Sequence, residues 1–147
     1  MKKTRLSTLF LSALLFFTIA GNGSAVPLYT NPAPKGQLPI LAWYSIPHAH
    51  YNLKAFSDLK EAGFNVSLRG SSTLANECKA LSLAKEVGIK LIFNTPLLET
   101  DGTNTAKLVK DNEALAGYNM SDEPSYSGLS KLTTKAQNIL KGDSTHL

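Results

Sequence analysis

The 147-residue sequence holds one cysteine, Cys78, and one tryptophan, Trp43. A lone thiol excludes an internal disulfide, and no histidine stands at a spacing that would pair with it for nucleophilic catalysis. Its neighbourhood, Asn76-Glu77-Cys78-Lys79-Ala80-Leu81, reads as helix, so Cys78 is expected to be a half-buried structural thiol. No block of lysine and arginine follows the first few residues, which argues against nucleic acid as a partner. No apolar run reaches the roughly 20 residues that span a bilayer. A Gly-rich phosphate loop is also missing. Where a dinucleotide-binding fold would carry one stands Ser45-Ile46-Pro47-His48-Ala49-His50. His48 and His50 have no third histidine or cysteine at ligand spacing, since His146 lies in the tail, so no metal is expected. No cofactor is expected either.

What is present begins with a charged start. Lys2, Lys3 and Arg5 precede an apolar run from Leu9 to Ala20, and the small residues Gly23, Ser24 and Ala25 follow. This is the layout of a secretory signal peptide, expected over residues 1–25, with an uncleaved anchor as the lesser alternative. Cleavage would leave no stable membrane insertion. It would also remove three of the 15 basic residues and leave a net charge of about +1. A ligand that is neutral or mixed in charge follows. Export without disulfides fits the periplasm, cell surface or surroundings of a bacterium. Residues 26–38, with Pro27, Pro32, Pro34 and Gly36, read as a poorly ordered linker.

From residue 39 a regular sentence repeats four times. The strands are expected at 38–44, 64–68, 89–93 and 114–118, each a short apolar run of the kind buried on both faces. The helices are expected at 53–62 closed by Gly63, 73–87 closed by Gly88, about 105–112, and 127–141 closed by Gly142. Successive βα units imply parallel strands with right-handed crossovers, either in a doubly wound open sheet or in a (β/α)₈ barrel. The missing phosphate loop favours the first four βα units of a TIM barrel. A whole barrel takes about 250 residues and about 110 follow the linker, so the chain is expected to be truncated, with residues 39–147 as its N-terminal half. Two open sheet edges and one uncovered sheet face would result.

Barrel chemistry gathers at the C-terminal ends of strands. Those ends carry Trp43, Tyr44 and Ser45, then Arg69, then Asn94, then Asp122 and Glu123. Aromatic faces stack on sugar rings, and amide or guanidinium groups bind hydroxyls, so a carbohydrate substrate is expected. Trp43 and Tyr44 alternate along a strand, so one should face the interior and the other the helices. Arg69 either contacts substrate or pairs with a local acid. In Gly117-Tyr118-Asn119-Met120-Ser121-Asp122-Glu123-Pro124, the proline is expected to keep Glu123 extended and its side chain at the mouth. A carboxyl group fixed beside another carboxylate holds its proton more readily and can donate it to a leaving oxygen. Ser125 or Ser127 as a helix N-cap would explain the polar run equally well.

Ile40-Leu41-Ala42-Trp43-Tyr44-Ser45-Ile46-Pro47, Leu59-Lys60-Glu61-Ala62-Gly63-Phe64-Asn65 and Ala114–Tyr118 with Asp122-Glu123-Pro124 resemble the barrel of bacterial clan A glycoside hydrolases, the group that includes β-galactosidases. The resemblance spans about residues 38–147. It implies retaining hydrolysis of a neutral glycoside with Glu123 as general acid/base. Asp122 stands where that clan carries asparagine, which alters the expected contact with the sugar 2-hydroxyl. The clan's nucleophile lies after strand seven, so no residue here takes that role, and Glu99 and Asp101 read as solvated loop carboxylates. The four units alone are then expected to be inactive. The alternative function is a secreted barrel that binds carbohydrate through Trp43, Tyr44 and Arg69 without cleaving it.

Overall fold

The computed structural model describes residues 31–146. The expected signal peptide and the first part of the linker lie outside the described residues. The architecture is α/β: β1 Leu41–Ala42, α1 Leu53–Glu61, β2 Val66–Ser67, α2 Leu74–Val87, β3 Lys90–Phe93, α3 Leu97–Thr100, α4 Gly102–Val109, β4 Leu115–Tyr118 and α5 Leu129–Gly142. The strands are all parallel in the order β1-β2-β3-β4, with Leu41 opposite Val66, Val66 opposite Lys90, and Leu91 opposite Leu115. A bulge follows, because Ile92 pairs with Gly117 and leaves Ala116 without an opposite residue.

The helix boundaries have local causes. Asn52 caps α1 by accepting from the Ala55 N–H at 3.0 Å, and Thr73 caps α2 by accepting from Asn76. Gly88, at φ 75, ends α2 in the left-handed conformation that glycine adopts without steric cost. Along α1 the spacing of Leu53, Phe56 and Leu59 turns Phe56 into the core.

One core fills the space between sheet and helices. Leu91, Phe93, Leu115 and Tyr118 meet Phe56 of α1, Ala80, Leu81 and Ala84 of α2, Leu98 of α3, Ala106 and Val109 of α4, and Ile139 of α5. Ile92 alternates with Leu91 and Phe93 and so points to the opposite face, where a smaller cluster joins it to Val66, Ala116 and Ala33. Ala33 belongs to the stretch expected to be a poorly ordered linker. The described part of that stretch is a compact turn, in which Asn31 accepts from the Ala33 N–H and donates to the Gln37 carbonyl.

The structure corrects several boundaries. The first strand is two residues rather than seven. Pro39 has no N–H, and the Ile40 N–H goes to the Asn65 side chain at 2.7 Å instead of to a neighbouring strand. The third helix is two pieces, 97–100 and 102–109, rather than one at about 105–112. Gly102 is the first residue of α4, and a Cβ there would meet Asn138 and Ile139 of α5 at 3.5 Å, an ordinary contact. The last helix begins at Leu129 after a single 3₁₀ turn at Tyr126–Gly128, and neither Ser125 nor Ser127 caps it. Gly142 is its last residue rather than a stop beyond it. A Cβ there would overlap the Thr103 carbonyl oxygen and lie 2.9 Å from Ala106 Cβ, so the glycine serves close packing of α4 on α5.

Candidate functional site

The C-terminal ends of the four strands share one rim. Trp43, Tyr44, Arg69, Asn94 and Asp122 line a cleft of about 170 Å³ there, together with Leu68, Gly70, Ser71 and Asn119. Five of the six expected site residues therefore converge. Glu123 does not line this cleft and is exposed on the loop beside it. The expectation that Pro124 keeps Glu123 extended is wrong: its φ is +44, so the chain turns sharply between Asp122 and Pro124. Tyr44, at φ +56, is the other non-glycine residue with positive φ among the described residues. Such backbone is uncommon outside glycine and tends to occur where function demands an unusual direction.

Trp43 and Tyr44 also depart from the expected alternation. Neither is core: they are 52% and 64% exposed, and both border the cleft. Regular β geometry has ended at Ala42, and the positive φ of Tyr44 turns its ring back over the rim. The Arg69 guanidinium sits 5.2 Å from the centre of that ring and donates to the Tyr44 and Ser45 carbonyls at 3.3 Å. Arg69 has no acidic partner among the described residues, so it ties the loop after β1 to the end of β2 and leaves its charge at the cleft wall.

Asn94 is buried and fastens three segments. Its side chain donates to the Arg69 carbonyl at 3.1 Å, its carbonyl accepts from the Ser72 N–H, and its own N–H donates to Glu77 Oε2 at 3.2 Å. A second, shallower recess of about 490 Å³ shares Ser71, Asn94 and Asn119 with the first and continues over Thr95, Glu99, Ser121 and Lys135. Lys135 is 8% exposed. Its ammonium donates to the Met120 carbonyl at 2.8 Å and lies 3.5 Å from Glu99 Oε1. Glu99 lies in α3 and Asp101 just before α4, where Asp101 Oδ1 accepts from Asn104.

Two buried carboxylates escaped sequence reasoning. Glu77 sits on the inner face of α2, in register with Leu74, Leu81 and Ala84, and that i, i+3, i+7 spacing was the signal for it. Burial pushes its carboxyl up to about 7, opposed by the Asn94 N–H. Asp143 accepts from Tyr118 Oη at 2.7 Å, from Thr145 and from His146. Burial resists its ionisation, but these donors outweigh it and bring the carboxyl down to about 2. His146, in the tail, is thereby fastened to the end of α5. Cys78 is half-buried on α2, and burial followed by the charge of Glu77 raises its thiol pKa, which suits a structural role.

His48 Nε2 lies 3.2 Å from the Gly70 carbonyl, and His50 is exposed on the same turn. Among the described residues no three His, Cys, Asp or Glu side chains are grouped to hold a metal, and no helix is long and apolar enough to cross a membrane. No protein-family model matches the chain, and no curated protein or solved structure matches it.

Proposed function

We propose that the chain supplies the sugar-binding side of a secreted glycoside hydrolase of clan A type, built as the first half of a (β/α)₈ barrel. The observation that carries this reading is the convergence of Trp43, Tyr44, Arg69, Asn94 and Asp122 on one cleft at the C-terminal strand ends. Two exposed aromatic rings offer apolar faces to a pyranose. The guanidinium, the amide and the carboxylate offer donors and acceptors to its hydroxyls.

The barrel part of the proposal has its own support. The strand order runs 1-2-3-4 without the reversal that marks the ligand crevice of doubly wound sheets. Buried apolar residues of all five helices join one cluster on one face of the sheet, as an outer ring of helices requires. In this reading Glu123 is the general acid/base, and its partner carboxylate comes from a strand beyond these four. Retention places the two carboxyl groups about 5–5.5 Å apart. One observation favours the second reading, a barrel that binds glycans without cleaving them: Glu123 stands outside the lining of the cleft that holds the aromatic residues.

Trp43 is the sole tryptophan, so its fluorescence reports this cleft alone. Titration with a panel of neutral glycosides is expected to change its emission saturably. A flat response to every member overturns the carbohydrate reading. In a longer chain that supplies four further βα units, Glu123→Gln is expected to lower hydrolysis of p-nitrophenyl glycosides by about 100-fold or more. Binding with no hydrolysis in that longer chain selects the second reading.

A further inference from the structure

We infer that Glu77 is a positioning residue of the cleft: from beneath the rim it holds the Asn94 backbone that borders both recesses. The ligand named in this inference rests on the carbohydrate reading, whereas the geometry does not. Glu77 is 2% exposed, yet it belongs to a helix whose inner face is otherwise apolar. Its Oε2 accepts from the Asn94 N–H, and its Oε1 has no hydrogen-bond partner. Thr95 Oγ1, one residue beyond Asn94, is the other buried side-chain oxygen without a partner among the described residues. A polar group kept in a core at such cost calls for a reason other than packing.

The surroundings provide that reason. Asn94 carries the Ser72 N–H on its carbonyl and the Arg69 carbonyl on its side chain. Arg69 in turn holds the carbonyls of Tyr44 and Ser45. A chain of hydrogen bonds thus runs from Glu77 through Asn94 to Arg69 and the aromatic rim. Any change at the Glu77 carboxyl reaches the sugar-binding groups through one atom pair.

No cation pairs with Glu77 among the described residues. Tyr51, on the loop before α1, is held above its usual range by burial and then by the charge of Glu77, with Arg69 opposing. Cys78, on the same helix, is raised likewise. His48 meets Tyr51 edge-on at 5.4 Å and completes the ionisable groups on that side. Ionised, Glu77 has no cation beside it, and the Asn94 N–H is the one donor that supports its charge. The Asn94 tie strengthens when Glu77 loses its proton, so the cleft is better formed while Glu77 is ionised.

The test uses the whole chain, labelled with ¹⁵N, and lactose as a neutral glycoside probe. The Asn94 amide resonance is expected to titrate near pH 7, to keep doing so in His48→Gln, and to stop titrating in Glu77→Gln. The dissociation constant for lactose, read from Trp43 fluorescence, is expected to fall at least about threefold between pH 6 and 8.5 and to stay level in Glu77→Gln. An Asn94 amide unmoved by pH in the unsubstituted protein overturns the inference, and that measurement needs no variant to fold. Equal titration in Glu77→Gln overturns it too. Should lactose and other neutral glycosides leave Trp43 unaffected at every pH, the carbohydrate reading fails while the Asn94 amide still decides the role of Glu77.

Discussion

Glu77 and Asp143 are equally buried, and their neighbours push them in opposite directions. Glu77 receives one donor and moves up to about 7 from an ordinary 4.5. Asp143 receives donors from three residues and moves down to about 2 from 3.8. A raised carboxyl binds its proton more tightly folded than unfolded, so its contribution is complete below 4.5 and is lost as pH rises through 7. A depressed one contributes above 3.8 and loses that contribution as pH falls through 2. Stability should therefore peak near pH 4, and urea melts across pH 2–9 check it. Glu77→Gln is expected to remove the decline above the peak, a difference on the order of 2–3 kcal/mol at pH 8. Tyr118→Phe should shift the acid limb to higher pH. Neither carboxylate was legible in the sequence for what it is. The stripe position of Glu77 signals burial but not its single donor, and Asp143 acquires its donors only when β4 meets the chain after α5. Trp43, Tyr44, Arg69, Asn94 and Asp122 were legible because a strand end fixes their place without any knowledge of their rotamers. The direction of Glu123 was not, because the expected effect of Pro124 gave way to a loop that turns through positive φ.

Among elements, α4 and α5 depend most on close approach. Thr103 Oγ1 donates to the Asn138 carbonyl at 2.8 Å, and the absence of a side chain at Gly142 lets the end of α5 pack on the first turns of α4. Gly142→Ala is expected to cost about 2–3 kcal/mol through overpacking, although alanine is the better helix former. Gly36→Ala, with open space around it but a positive φ, should cost less than Gly142→Ala. Equilibrium urea unfolding of both variants measures the difference. The order of elements could be read from alternation of apolar runs with glycine-closed helices, since α1 and α2 end where Gly63 and Gly88 stand. Their lengths could not. β1 loses its early residues to Pro39 and to the Asn65 amide, a contact 25 residues away that no local pattern carries.

At the scale of the molecule, the pairing is uneven. β1 and β2 share two residue pairs, while β3 and β4 share three around a bulge and are backed by the α4–α5 contact. The core follows the same gradient, since most of its buried residues come from α2 onward. Amide hydrogen exchange should follow it as well, with the slowest protons in β3, β4 and α2 and the fastest in β1 and the turn at 48–50. Uniform protection across the four strands would contradict this.

The two-residue first strand has a consequence for how the cleft behaves in time. Trp43 and Tyr44 follow the sheet's weakest seam, whereas Asn94 directly follows β3 on its strongest and Asp122 lies on the loop beyond β4. A cleft with one rigid wall and one held through β1 and the Arg69 tie alone would admit a ligand by release of the aromatic side. Its on-rate would then follow the opening of β1, and its residence time the reclosure of that seam.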